Sequence, residues 1–399
     1  MELFKEYYDA KLRKKANPEL RFLDRKVGSV DLRACKHIHI IAICGTAMGT
    51  LALMLLDSGF KVSGSDIGFW PPMGPHLKAN GVEIYEGWNA SNIADDVDLV
   101  VVGNACGPTH IEVIEAQRRG LPLMSLPELI GAFYVDGTPE HGEKTSIVVA
   151  GTHGKTTTTG LLSHMLTELA AAGITDCDPT YLIGGVKKKK KISDAKEGTS
   201  HHVGTGKFVA LEGDEYDTAY FDARPKFLHY RPSFAIITSV EWDHVDIYEN
   251  IEEYKTAFAH LIEVTKKGLV VSDQYPLLNE LIASAKASGK ISAEVLVYGM
   301  DEKNGIVPDL RPVLGTISDR GQEFELFIKD KTSGESKSFG IFTTPMYGEY
   351  NALNTVAVLG ILHQAGFDIQ SQAVRNAVAS FPGMKRRQEV VGEILIKNA

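Results

Sequence analysis

The chain has 399 residues, 44% of them hydrophobic and 23% charged, and a net charge of -9. That balance predicts a globular protein of about two or three domains. It excludes a nucleic-acid backbone as the main partner, because phosphate neutralisation requires a basic face.

No stretch approaches the roughly 20 uninterrupted apolar residues of a membrane span. Residues 1 to 36 form a charged leader whose opening is too polar for a signal peptide. Cys35, Cys44, Cys106 and Cys177 show neither a C-x-x-C pair nor a metal-ligand spacing, so they read as reduced thiols of a cytoplasmic protein.

The first regular pattern is the β-branched run "HIHIIAI" (37 to 43), which ends in the glycine turn "ICGTAMG" (43 to 49). A helical pattern follows over 50 to 59, and then a strand, "FKVSGSD", closing on Asp66. Strand, glycine turn, helix and strand ending in an acid describe a βαβ unit. "DLVVVGNA" (98 to 105) predicts a further buried strand, and 111 to 125 a helix leading to one more. Residues 37 to 136 therefore read as a Rossmann-like, doubly wound domain.

Two readings of the glycine turn stand. Gly45 and Gly49 could present backbone amides to the phosphates of a diphosphate-containing ligand, with Asp66, 21 residues after Gly45, in the place of a ribose-binding acid. Alternatively, the glycines serve only close packing of strand and helix.

A polar linker spans 136 to 144, and residues 137 to 383 read as a second α/β domain. Its strand "TSIVVA" (145 to 150) runs into "GTHGKTTT" and a helix to Gly173. Gly151 and Gly154 free the backbone to wrap oxygens, Lys155 supplies a cation for the β- and γ-phosphates, and the Thr156 hydroxyl suits Mg²⁺. The first glycine of the usual G-x-x-x-x-G-K-[ST] pattern is replaced by Val149. Strand before and helix after make this a triphosphate site nonetheless.

Two acidic strand ends supply metal candidates. "VALEGDEYD" (209 to 217) places Glu212 at a strand terminus, followed by Asp214, Glu215 and Asp217, any one of which is equally well a solvated acid. "SVEWDHVDIY" (239 to 248) brings Glu241, Asp243, His244 and Asp246 to another. Hard oxygen donors favour Mg²⁺. The run "KKKKK" (187 to 191) reads as a solvated loop. Further strands are expected at 207 to 213, 234 to 240, 268 to 272 and 294 to 299, and a helix over 351 to 366.

Taken in order, "GTHGKTTT", "LEGDEYD", "VEWDH.D.Y" and "YGEYNALN" resemble the Mur ligase family, ATP-dependent amide-forming enzymes of peptidoglycan synthesis. The resemblance covers about residues 37 to 392. "ICGTAMG", "GSD....PPM", "LIGGV" and above all "DEYDTAYFDARPKFLHYRP" (214 to 232) look most like the murein peptide ligase branch, which joins the tripeptide L-alanyl-γ-D-glutamyl-meso-diaminopimelate to UDP-N-acetylmuramate.

The resemblance implies that Gly151, Thr152, His153, Gly154, Lys155, Thr156 and Thr157 bind ATP, with Asn351 and Asn354 facing the adenine and Arg387 the phosphates. Lys155, Glu212 and His244 would be catalytic, and Thr156, Glu212 and His244 would hold Mg²⁺. Gly45, Thr46, Met48, Gly49 and Asp66 would bind the UDP portion. The sister ligase that adds L-alanine is the alternative enzyme, and a non-catalytic UDP-sugar and ATP binder the alternative of another class. Tyr350 departs from the histidine that the family commonly places before the first asparagine of "NALN".

The family continues past "RR.E" into a third α/β domain that receives the incoming amine. The chain ends shortly after Glu389, so residues 384 to 399 read as the start of a domain that is otherwise absent. The expectation is a chain that binds nucleotides but ligates poorly.

Overall fold

Residues 37 to 124 build a five-stranded parallel sheet from β1 (His37–Ile41), β2 (Lys61–Asp66), β3 (Glu83–Glu86), β4 (Leu99–Val102) and β5 (Leu123–Met124), in the order 3-2-1-4-5. The computed structural model describes residues 30–71, 73–137, 142–174, 178–187, 200–242, 248, 250–303 and 305–385. Strands β1 and β4 are buried along their whole length, because helices cover both faces of this sheet. The covering helices are α1 (Thr46–Asp57), α2 (Met73–Ala79) and α3 (Ile111–Arg118), followed by α4 (Leu126–Leu129) and a π-helical turn, Ile130–Val135. Helix α1 starts four residues before the sequence expectation, with Gly45 as its N-cap and the Gly49 amide already bonded to the Gly45 carbonyl at 2.8 Å. Gly49 is thus inside the helix rather than in the turn. There an added Cβ would fall 2.4 Å from the Met73 side chain and 3.1 Å from the Ile43 carbonyl oxygen.

The second sheet has ten strands. In chain order the elements are β6 (Thr145–Ala150), α5 (Lys155–Ala171), β7 (Thr180–Leu182), β8 (His201–His202), β9 (Phe208–Gly213), β10 (Asp217–Ala219), β11 (Asp222–Pro225) and β12 (Phe234–Ile237). Then come α6 (Ile251–Val264), β13 (Gly268–Ser272), α7 (Pro276–Ala287), β14 (Glu294–Tyr298), β15 (Leu310–Ser318), β16 (Gly321–Lys329), β17 (Ser336–Thr344), α8 (Glu349–Gln364) and α9 (Gln372–Ala379). The sheet order is 17-16-15-14-13-12-6-9-7-8, with β6 between β12 and β9 and parallel to both. The carboxyl ends of these three strands meet at one place, where open α/β sheets bind their ligands.

The antiparallel ribbon β15–β16–β17 was absent from the sequence expectation. Its signal is period-two alternation: Phe324, Leu326 and Ile328 point to the core while their neighbours are half-exposed. Strands β10 and β11 form a separate hairpin, and its Ala219 and Phe221 pack into the core of the first sheet beside Ile41, Val100 and Val102. The block from 214 to 232 therefore joins the two halves of the molecule. Among the described residues no helix is long and apolar enough to cross a membrane. The last described residues, Met384 and Lys385, pack on the second sheet, with Met384 buried and the Lys385 amide on the Val186 carbonyl at 2.9 Å.

Candidate functional site

Val149 explains the missing glycine. It is a fully buried residue of β6, in register with Glu212 of β9 and Ile236 of β12, so the sheet continues through the position and the loop starts only at Gly151. Gly151 (φ 132°) and Gly154 (φ 84°) take up the left-handed conformations in which the loop turns back on itself, conformations that side-chain-bearing residues disfavour. Gly154 is the N-cap of the 17-residue helix α5, and no side chain caps the first turn. Its amides and the positive end of the helix are left for an anion.

The loop is fastened to the neighbouring strand end. The Thr152 hydroxyl lies 2.9 Å from the Tyr254 hydroxyl, and the His153 amide donates to Ser239 Oγ at 2.7 Å. The Thr238 hydroxyl donates to the His153 carbonyl, and the His153 ring meets Glu241 at 3.1 Å. Lys155 Nζ donates to the Gly151 carbonyl and to both Glu215 oxygens, at 3.1 and 3.0 Å. The Glu215 side chain is fully buried. The sequence allowed a solvated acid here; the structure makes it the counter-charge that holds the loop lysine.

Glu212, at the end of β9, accepts the Thr156 hydroxyl at 2.8 Å and the Gly184 amide at 2.7 Å. Burial raises its pKa above the ordinary carboxylate range, partly offset by these hydrogen bonds and by the charge of Lys155. Gly184 leaves open the space against this carboxylate, since a Cβ there would sit 3.0 Å from both oxygens. A desolvated carboxylate beside a hydroxyl, with room in front of them, fits a small hard cation such as Mg²⁺. Among the described residues no group of three His, Cys, Asp or Glu side chains converges on one point. Asp243, His244, Asp246 and Arg387 lie outside the described residues.

Two cavities flank this centre. The larger, about 680 Å³, runs from His153, Gly154 and Thr157 to Asn351 and Asn354 on α8. The sequence reading expected both asparagines at the adenine, and both line the same cavity as the loop residues. It missed the aromatic walls Tyr275, Tyr298 and Tyr347, which line the same space; Tyr350, which stands where the family commonly has histidine, joins them and is 66% exposed. Asn351 is itself engaged, donating from Nδ2 to the Tyr347 carbonyl at 2.9 Å.

The smaller cavity, about 200 Å³, lies between the two sheets and is lined by Thr46, Met48 and Asn104 on one side and by Glu212, Asp214 and Lys226 on the other. It opens where the strand order of the first sheet reverses, between β1 and β4. Asp66 holds the glycine turn, accepting the Cys44 amide at 2.8 Å and its neighbour Ile67's amide at 2.8 Å. Cys35, Cys44 and Cys106 are free thiols, and burial pushes Cys44 and Cys106 up to about 11. Cys177 lies outside the described residues.

A glycine loop opening a helix, a buried carboxylate at the adjacent strand end and a Rossmann-like sheet facing them define a two-part α/β protein. The family model "Mur ligase middle domain" matches residues 149–362, and "Mur ligase family, catalytic domain" matches residues 37–136. The chain belongs to the Mur ligase family.

It is similar to the UDP-N-acetylmuramate–L-alanyl-γ-D-glutamyl-meso-2,6-diaminoheptandioate ligase of Escherichia coli, at 30% identity over 89% of this chain and 70% of that one. The UDP-N-acetylmuramate–L-alanine ligase of Salinispora arenicola is 33% identical over 89% of this chain and 61% of its own length. The crystal structure of a murein peptide ligase from Psychrobacter arcticus superposes with a TM-score of 0.71 at 30% identity, covering 90% of this chain and 70% of that one. Identity alone does not separate the two amine acceptors.

Proposed function

We propose that this protein is an ATP-dependent ligase of peptidoglycan recycling that activates the carboxylate of UDP-N-acetylmuramate for amide formation with L-alanyl-γ-D-glutamyl-meso-diaminopimelate. The observation that carries the reading is the contact between Thr156 and Glu212, at 2.8 Å, which joins the phosphate loop to the cavity shared with Thr46 and Met48.

In this reading ATP lies along the larger cavity, its adenine between the tyrosines and the two asparagines, its phosphates on the amides of 151 to 157. The UDP portion takes the glycine turn of the first sheet, with Gly45, Thr46, Met48, Gly49 and Asp66 as its candidates. An oxygen of the sugar's carboxylate attacks the γ-phosphorus, the bond to the ADP oxygen breaks, and an acyl phosphate results. The tripeptide amine then displaces inorganic phosphate through a tetrahedral intermediate and loses its proton. Lys155, fixed by Glu215, stabilises charge on the transferring phosphoryl group without having to reorganise. Thr156 and Glu212 would hold Mg²⁺, with His244 as a further candidate ligand. When bound, the ion neutralises phosphate charge.

The tripeptide is favoured over L-alanine by the block from Asp214 to Pro232, which differs from the pattern of the alanine-adding branch. The first test is calorimetric titration with UDP-N-acetylmuramate and, separately, with Mg²⁺ and a non-hydrolysable ATP analogue. Binding of both is expected. Binding of the ATP analogue without the sugar nucleotide would overturn the assignment of the first sheet.

A further inference from the structure

The cavity between the sheets poses an electrostatic problem. Among its described lining residues Glu212 and Asp214 are acids, and Lys226 is the single cation. If the proposed function holds, on which this inference rests, the reacting group that enters is a third carboxylate. Like charges in a partly desolvated wall repel more strongly than in bulk water. A cation fixed in the wall is the means of admitting the group.

Lys226 is built for that place. Its Nζ lies 2.6 Å from Asp214 Oδ2, and its side chain is 22% exposed. The backbone is pinned as well: the Lys226 amide bonds the Tyr216 carbonyl at 3.1 Å, and the next amide bonds the Asp214 carbonyl at 3.3 Å. An ammonium has three donors, and Asp214 takes one of them. Lys155, the other cation near Glu212, is already committed to Glu215 and the phosphate loop.

We propose that Lys226 is the positioning residue for the acceptor carboxylate, one ammonium hydrogen bonding a carboxylate oxygen of UDP-N-acetylmuramate and turning it toward Glu212 and the phosphate loop. Asp214 orients the ammonium from behind. Nothing in the phosphate-loop motif announces this lysine, because it stands after the β10–β11 hairpin, 71 residues beyond Lys155.

The test compares two sugar nucleotides that differ in the carboxylate. UDP-N-acetylmuramate and UDP-N-acetylglucosamine, which lacks the lactyl acid, are titrated into the wild-type chain, Lys226→Met and Lys226→Arg. The expected result is a loss of about tenfold or more in UDP-N-acetylmuramate affinity for Lys226→Met, with UDP-N-acetylglucosamine changed less than about twofold. Lys226→Arg is expected to restore most of the loss, because it keeps the charge. Equal weakening of both nucleotides would make the lysine a merely structural residue and overturn the proposal, as would a methionine variant that binds both like the wild type. A wild-type chain that binds neither would sink the functional reading itself, and the Lys226 assignment with it.

Discussion

At the scale of single residues, the site shows how burial converts ordinary acids into specialised ones. Glu212 and Glu215 stand three positions apart, yet one faces the cavity and the other is sealed beneath the loop lysine. A third acid, Asp273, is 1% exposed, and among the described residues neither of its carboxylate oxygens has a hydrogen-bond partner. Burial raises its pKa from 3.8 to about 6. A carboxyl that holds its proton more tightly when folded stabilises the fold fully below its unfolded value. That contribution is lost as pH rises through the folded one. Stability is therefore expected to fall between about pH 4 and pH 6. Asp273→Asn should flatten this segment of a plot of melting temperature against pH, and gain about 1 to 3 kcal/mol above about pH 7. A variant that keeps the wild-type pH slope would show that another group titrates there.

At the scale of elements, the most consequential device is the guard on the outer strand of the large sheet. Strand β17 is an edge, and open edges invite pairing with other chains. Arg375 of α9 covers it, donating to the Ile341 carbonyl and to the Phe339 carbonyl at 3.2 Å, while its guanidinium lies 4.8 Å from the centre of the Phe342 ring. Gly340, at φ 92°, makes room, since a Cβ there would fall 2.7 Å from the guanidinium. Arg375→Ala should uncover two carbonyls and raise self-association with concentration, read by light scattering. A variant that stays monodisperse would place the edge protection elsewhere. The ribbon's alternation was present in the sequence but went unread, and its role as an edge could not be read there at all, because sheet order is a non-local property.

At the scale of the whole molecule, the β10–β11 hairpin joins the two α/β halves. Phe221, in the turn of this hairpin, is 6% exposed and belongs to the core of the first sheet, although the hairpin lies among the elements of the second half. Phe221→Ala removes a buried aromatic ring, a change that costs about 3 to 5 kcal/mol in a well-packed core. Because the loss falls on the junction, scanning calorimetry should show one transition for the wild type and two for the variant. UDP-N-acetylmuramate should bind more weakly, with ATP-analogue binding little changed. A single transition, merely shifted to lower temperature, would mean that the hairpin contributes stability without governing the arrangement.

Much of the candidate site could be read without coordinates, because it resides in short contiguous patterns. A strand, a glycine turn and a helix start follow one another directly in the chain, so the loop from Gly151 to Thr157 and the acid at the end of β9 were visible in the sequence itself. So was the class of fold, since continuous β-branched runs alternating with helices lead to parallel sheets. The remaining features depend on residues far apart in sequence. That Glu215 neutralises Lys155, that Tyr275, Tyr298 and Tyr347 wall the larger cavity, that Gly49 packs on Met73 and that Lys226 is a cation of the smaller cavity were decided only in three dimensions. Pairing, burial and the sign of a cavity's charge follow from which strand ends lie side by side, and local pattern carries no information about that.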